Sequence, residues 1–380
     1  MIIFLLLGVL LVSVLWELYY KWRWSENVAV KLWFETGAVY AGQSTKLYEV
    51  IENRKRMPVP VLEVGFHTRK ELDFADTENA SVSDYIYKRD VFAVLGGQKI
   101  TREIPVKCTK RGKYTVSDAD ITTYTLLYRK HYSKGVGTSA EIYVYPKMTD
   151  VSELMTVCER MLGTIQCAKR LYEDPFAFRT IRDYTTDDPM KTINWKASAR
   201  TGALMVNTFD SVQSQKAMVF LDVEDTGIRK QEDLVEESIS MGATVVRKLL
   251  RQNIEVGFAY NGKGQVMMPT NKKSALTGLE RMLAEYNRET EADDYAELIG
   301  TFFSDHFIKN PLSQDTLLIF ISKNLNVKLM ECIKCCVGEY QSLVVKPVYR
   351  DEKGFQDDAI KKVIQNSGNI RVLIKEVERG

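Results

Sequence analysis

The densest gathering of chemically capable residues in this chain runs Arg182-Asp-Tyr-Thr-Thr-Asp-Asp-Pro-Met-Lys-Thr-Ile-Asn-Trp-Lys-Ala-Ser-Ala-Arg-Thr-Gly202. It carries both charge signs, a tryptophan and little aliphatic material. Arg182, Asp183, Asp187, Asp188, Lys191, Lys196 and Arg200 can form a charge-paired network, because planar guanidinium groups grip carboxylates bidentately and stack on rings such as Tyr184 or Trp195. Asn194 completes the polar set. Asp187-Asp188-Pro189 is a turn signal, since the proline biases Asp188 away from helix. A network of this kind clamps a loop, joins two domains or offers a surface to a partner.

Catalysis fits the same residues poorly. Asp183, Asp187 and Asp188 are the concentrated carboxylates, and each has an Arg or Lys close in sequence. Cations lower carboxylate pKa values, the wrong direction for a general acid. No Ser, Cys or His stands out as an activated nucleophile. Cys332, Cys335 and Cys336 resemble a zinc cluster, but at helical spacing they share a face with Leu329 and Ile333, and no second Cys or His pair completes four ligands. A buried apolar stripe is the expectation there. His67 and His131 are single histidines without a partner at metal spacing. Asn261-Gly-Lys-Gly264 reads as a turn, its glycines matching no nucleotide fingerprint.

Around these residues stand elements of several periods. With 380 residues the chain has room for two or three cores. Its 45% hydrophobic and 27% charged residues are an ordinary globular balance, and a net charge of +2 argues against a nucleic-acid partner. The six cysteines follow no disulfide framework, which suits a reducing compartment. Residues 1–24 begin with an apolar run unbroken by charge before Glu17 and close on Tyr19, Tyr20, Lys21, Trp22, Arg23 and Trp24. That length and aromatic, basic flank predict a single helix spanning the lipid bilayer of the cell membrane, and the position of Lys21 and Arg23 puts the bulk of the chain in the cytoplasm. No basic residue precedes the run and no small-x-small site follows it, as a signal peptide would require.

Residues 25–147 alternate in short runs, 28–33, 46–51, 61–66, 90–95, 98–104, 113–116 and 141–145, the pattern of a β-sandwich of the immunoglobulin or fibronectin kind. Gly96-Gly97 predicts a hairpin between two of them. The phrase from Glu52 to Pro60 reads as a solvated basic turn. Residues 148–178 form a helical connector, with Cys158 and Cys167 expected on its apolar side. The segment 179–214 holds the polar signature. From 215 to 380 apolar strands at 217–223, 254–260, 265–268, 316–322, 343–348 and 370–374 alternate with helices at 233–251, 272–286, 293–306, 327–339 and 357–365. This is the pattern of a mainly parallel, Rossmann-like sheet covered on both faces. Ligand chemistry in such sheets gathers beyond the carboxyl ends of strands. The first strand ends in Asp222-Val-Glu-Asp-Thr226 and the fourth in Ser322-Lys323-Asn324.

The wording Arg-x-Tyr-x-x-x-Asp-x-x-x-x-Ile-Asn-Trp-Lys-Ala-Ser-Ala-Arg, from Arg182 to Arg200, resembles the signature of the bacterial family named domain of unknown function 58 (DUF58). One departure is Thr186, where the family usually has glycine. The resemblance implies that the C-terminal part is a von Willebrand factor A-like α/β domain. The metal-dependent form of that fold uses Asp-x-Ser-x-Ser after its first strand, often with a later Asp. Here Asp222 is kept, Glu224 and Thr226 replace the serines, and Lys323 stands where the later Asp is expected. Mg²⁺ prefers oxygen ligands in octahedral array, so Asp222, Glu224 and Thr226 make a degenerate metal site, with Lys323 placed to pair with Asp222 or Glu224 and replace the ion's charge. No other cofactor is implied. The resemblance also implies partners, a MoxR-type AAA+ ATPase and other von Willebrand factor A-like proteins, and hence a non-catalytic scaffold in envelope-related assembly. The alternative is a divalent-metal-dependent binding protein or enzyme.

Overall fold

The computed structural model describes residues 2–74, 80–82, 85–125, 130–170, 178–186, 188, 190–209, 215–225, 230–262, 265–286, 292–306, 312–350 and 368–378. The chain falls into two compact units, Met1–Met148 with Glu280–Asn287, and Thr149–Leu279 with Arg288–Gly380.

The first unit opens with helix α1 (Ile2–Arg23) and continues as β1 (Val28–Phe34), β2 (Ala38–Tyr40), β3 (Ser44–Asn53), β4 (Val59–Arg69), β5 (Leu72–Phe74), β6 (Ala80–Val82), β7 (Tyr85–Val94), β8 (Lys99–Cys108), β9 (Gly112–Tyr124), β10 (His131–Gly135) and β11 (Ala140–Tyr145). One sheet has the order β1-β3-β8-β5; the other runs β2-β11-β9-β4-β7-β6, with β10 beside β9. Leu47, Ile104 and Val106 of the first sheet meet Phe66, Val116 and Ile142 of the second in one buried core, which is what alternation along each strand requires of a sandwich.

Gly96-Gly97 is a turn but not a hairpin. The strands it joins, β7 and β8, belong to different sheets. Gly97 takes φ +72, and a Cβ on Gly96 would lie 2.2 Å from the Arg56 carbonyl oxygen. A side chain is excluded at Gly96 and strained at Gly97, and that local demand is the same for a hairpin and for an arch between sheets.

The sandwich interior also holds charge. Glu49 on β3 lies opposite Arg102 on β8, and Lys88 and Asp90 reach the same region from β7. Glu49, Lys88 and Asp90 are each at most 3% exposed. Arg102 Nη1 pairs with Asp90 Oδ1 at 2.6 Å, while neither oxygen of Glu49 meets a hydrogen-bond donor among the described residues. Burial, and then the neighbouring Asp90 carboxylate, push the Glu49 carboxyl up to about 7 against the pull of Arg102 and Lys88.

Helix α1 ends inside this unit. Tyr20 and Trp24 are buried with Val30, Ile51 and Val64, and the Tyr20 hydroxyl lies 2.9 Å from Thr123 Oγ1. These two rings are therefore core residues, and of the four flanking aromatics Tyr19 and Trp22 stay exposed, with Trp16 one turn earlier. Lys55, from the basic turn, donates to the carbonyls of Arg23 and Trp24, placing a cation at the negative end of the helix dipole. Among the described residues no helix is long and apolar enough to cross a membrane. The side chains of Ile2, Ile3, Leu5, Leu6 and Leu10 lie outside that description.

The second unit begins with α2 (Ser152–Arg170), whose buried side carries Leu154, Met155, Cys158, Met161 and Leu162. Cys167 is exposed, one step off that stripe. Then follow β12 (Phe178–Asp183), α3 (Trp195–Thr201), β13 (Met205–Phe209), β14 (Lys216–Leu221), α4 (Glu232–Arg251), β15 (Glu255–Tyr260), β16 (Gln265–Thr270), α5 (Lys273–Glu285), α6 (Tyr295–Thr301), β17 (Thr316–Ile321), α7 (Val327–Val337), β18 (Ser342–Tyr349) and β19 (Ile370–Val377). The main sheet has the order β16-β15-β14-β17-β18-β19. Every pairing is parallel except that of β16 with β15. Strands β14 and β17 are buried along nearly their whole length, as a sheet covered on both faces demands. The helix expected at 357–365 lies outside the described residues. Helix α7 buries Leu329, Met330, Ile333 and Val337, so Cys332 and Cys336 sit at the margin of the stripe and Cys335 faces out. The buried stripe is aliphatic, and the thiols border it.

Candidate functional site

In the six-stranded sheet, β14 is flanked by β15 on one side and β17 on the other, and chain order reverses direction there. A crevice opens at such a switch point beyond the carboxyl ends of the strands. Three strand ends meet in it. Asp222 follows β14, Asn261 follows β15, and Ser322, Lys323 and Asn324 follow β17.

Asp222 is 2% exposed, and protein donors occupy both of its oxygens. Oδ1 accepts from the Glu224 amide at 3.0 Å and from Asn261 Nδ2 at 2.9 Å. Oδ2 accepts from Ser322 Oγ at 2.6 Å and from Asn324 Nδ2 at 3.0 Å. A carboxylate offers about four lone-pair sites, and these contacts use them all. Asn261 also accepts from the Val223 amide at 2.8 Å and donates to the Asp293 carbonyl at 2.9 Å. Asn324 donates to the Glu224 carbonyl at 2.8 Å. The loop after β14 is thus tied to both neighbouring strands. Burial raises the Asp222 carboxyl, and the four hydrogen bonds pull against that rise. Glu224 is raised too, by burial and then by the charges of Asp222 and Asp294.

Lys323 reaches neither Asp222 nor Glu224 as an ion pair. Its Nζ lies 2.7 Å from Asp225 Oδ1, with the two side chains 3% and 18% exposed. Asp225 in turn accepts from the Gln231 amide ahead of α4. Thr226 lies outside the described residues. The donor set suits a divalent ion poorly, because Asp222 has no lone pair left to give and a buried ammonium stands beside the acids. Among the described residues no group of three or more His, Cys, Asp or Glu is arranged to hold a metal ion. Asn261, Asn324 and Asp225 were not legible as site residues. Their signal was position alone, at the ends of the strands flanking β14 or one residue beyond Glu224.

The polar signature folds as a small module of its own. Strands β12 and β13 pair antiparallel, with a single 3₁₀ turn at Met190–Thr192 and α3 between them. Arg182 grips Asp188 through two hydrogen bonds, 2.8 Å to Oδ2 and 2.6 Å to Oδ1. Oδ2 of Asp188 also accepts from the amide and hydroxyl of Thr185. The Arg182 guanidinium, aided by Thr185, holds the Asp188 carboxyl well below the usual range. Asn194 caps α3 by accepting from the Ala197 amide at 3.0 Å and donates to Asn207 Oδ1 at 2.7 Å. Ser198 bridges the Asn194 carbonyl and the Met205 amide. Gly202 closes the helix at φ 73. Ile193 and Val206 are buried beneath.

Of the expected network, the structure joins Arg182 to Asp188. Among the described residues Asp183, Lys191, Lys196 and Arg200 make no ion pair, and Asp187 lies outside them. Tyr184 is half-buried. Trp195 at 67%, Met190 at 72% and Leu204 at 44% face outward on this module.

Comparison with known proteins finds a family model described as "Protein of unknown function DUF58" over residues 180–354. A curated relative, "Uncharacterized protein YeaD" of Bacillus subtilis (strain 168), is 28% identical over 90 residues, 24% of this chain and 21% of that protein. The aligned stretch thus spans about a fifth of the relative's length. Among solved structures, a non-cellulosomal cohesin from Archaeoglobus fulgidus aligns at 12% identity and a TM-score of 0.22, covering 34% of this chain and 96% of that one. A CARDB domain from Pyrococcus furiosus aligns at 11% identity and a TM-score of 0.21, covering 31% and 94%. Likenesses this distant carry no argument.

Proposed function

We propose, taking the DUF58 match over residues 180–354 as the premise, that this chain is a membrane-anchored, non-catalytic binding protein whose recognition surface is the signature module. The observation that carries the reading is Trp195. Its ring is exposed at the first position of a helix capped at both ends, with Met190 and Leu204 also outward and Lys191, Lys196 and Arg200 unpaired among the described residues. An exposed tryptophan on a rigid scaffold beside a methionine and Arg200 is the composition of an interface anchor. The partner, by the family resemblance, is a MoxR-type AAA+ ATPase, alongside other von Willebrand factor A-like proteins.

The von Willebrand factor A-like reading of the second unit is supported by a strand order that, counted from β14, runs 3-2-1-4-5-6 with one antiparallel edge. The anchor reading is supported by α1. Phe4, Leu7, Val9, Leu11, Val12, Val14, Leu15 and Leu18 are all at least 46% exposed. They point to every side of the helix, a distribution that water does not tolerate and acyl chains do. Residues 2–18 rise about 26 Å at 1.5 Å each before Tyr20 enters the sandwich, close to the thickness of a hydrocarbon core. Lys21 and Arg23 at its far end support a cytoplasmic body by the positive-inside rule.

Binding of the detergent-solubilised chain to a purified MoxR-type ATPase encoded in the same genome tests this. Trp195→Ala combined with Arg200→Glu is expected to abolish binding at an unchanged melting temperature. Undiminished binding by that double variant refutes the surface assignment. Recovery of the wild-type chain in the soluble fraction of lysed cells refutes the anchor.

A further inference from the structure

At the sheet's carboxyl end four acids, Asp222, Glu224, Asp225 and Asp294, lie close enough for their charges to be felt across the crevice. Acidic loops so placed ordinarily need a cation to offset their repulsion. The positive charge here is covalent. Lys323 is fixed by the end of β17, its ammonium is buried, and it is held by a carboxylate that is itself anchored to a backbone amide. The neighbouring carboxylate, Asp222, is spent on hydrogen bonds from Ser322, Asn324, Asn261 and the Glu224 amide. Both halves of a divalent site, free oxygen lone pairs and an unopposed negative field, have been removed by separate residues.

We propose that Lys323 is the resident cation of this site, its buried ammonium on Asp225 taking over the charge-balancing role of a divalent ion. The cluster at the strand ends therefore takes up no divalent ion and is unchanged by chelators. Opposite roles follow for the two flanking groups. Asp225 seats the lysine, and Asn324 and Ser322 lock Asp222 out of metal chemistry. The proposal concerns a different surface from the signature module and stands whatever that module binds.

Calorimetric titration of the detergent-solubilised full chain with MnCl₂ tests it. The wild type and Lys323→Arg are expected to show no saturable binding into the millimolar range, where weak oxygen-ligand sites fill. Lys323→Ser combined with Asn324→Ala, which removes the cation and frees a lone pair of Asp222, is expected to bind Mn²⁺ saturably and to melt higher in its presence. Addition of Asp222→Asn to that variant is expected to abolish the binding. Saturable Mn²⁺ binding by the wild type that Asp222→Asn removes overturns the proposal, as does a folded double variant that gains none. Should the double variant fail to fold, Asp225→Asn tests the same seat by acylation with an amine-reactive ester read by peptide mass spectrometry. Lys323 is expected to react several-fold faster once its seat is gone, and an unchanged rate overturns the assignment.

Discussion

Replacing Glu49 by glutamine is expected to flatten the dependence of stability on pH between about 4.5 and 7, and the size of the effect follows from the sandwich interior. Glu49 is fully buried, its oxygens meet no donor among the described residues, and its carboxyl is pushed up to about 7 from an ordinary 4.5. Between those two values the folded chain binds a proton that the unfolded chain has released. Unfolding free energy therefore falls as pH rises through the window, and it is level on either side for this group. The difference corresponds to about 3 kcal/mol. The Glu49→Gln chain carries no such proton, so its stability relative to wild type should improve by about that amount from the acid to the alkaline end of the window. Urea denaturation of the solubilised chain at steps across the window reads it directly, because the substitution removes no surface and leaves the m-value unchanged. Parallel wild-type and mutant profiles would refute the claim that Glu49 is held protonated by burial and by Asp90.

Other substitutions have equally definite outcomes. Trp24→Ala is expected to cost about 3 kcal/mol in denaturant stability, as for a buried aromatic, while Trp22→Ala, whose ring is 77% exposed, stays within about 0.5 kcal/mol. Asn261→Ala strips one donor from buried Asp222 and orphans the Val223 amide, and is expected to cost about 3 kcal/mol by the same measurement. Gly96→Ala should destabilise more than Gly97→Ala. The first drives a methyl into the Arg56 carbonyl, while the second meets open space and costs only the left-handed φ, about 1 kcal/mol. Asp188→Asn is expected to leave global melting nearly unchanged but to remove hydrogen-exchange protection from the Thr185 amide, which bonds to that carboxylate.

Much of the fold was legible because it follows from period. The strands of the six-stranded sheet and the described helices between them lie within a few residues of where apolar runs and 3.6-residue stripes place them. The sandwich strands follow the same rule with period two. What sequence could not carry was partnership across the chain. Gly96-Gly97 announces a turn, yet nothing local says whether the strands it joins share a sheet. Lys323 was expected against Asp222 or Glu224 and found Asp225 one residue further on, because Ser322 and Asn324 already occupy Asp222. Asn261 looked like turn chemistry, and its role comes from ending the strand beside β14. The Arg182–Asp188 grip was readable from bidentate chemistry, whereas the exposure of Trp195 and Arg200 depends on how α3, with no buried residue, sits on its module.

The seating of Tyr20 and Trp24 in the sandwich has a mechanical corollary. No flexible tether separates the apolar helix from the first strand, so helix and sandwich turn as one solid piece. A stalk without a swivel fixes the attitude of the sandwich to whatever surface receives the helix. Torque applied to the sandwich would tilt the helix with it, so pulling on one end is felt at the other.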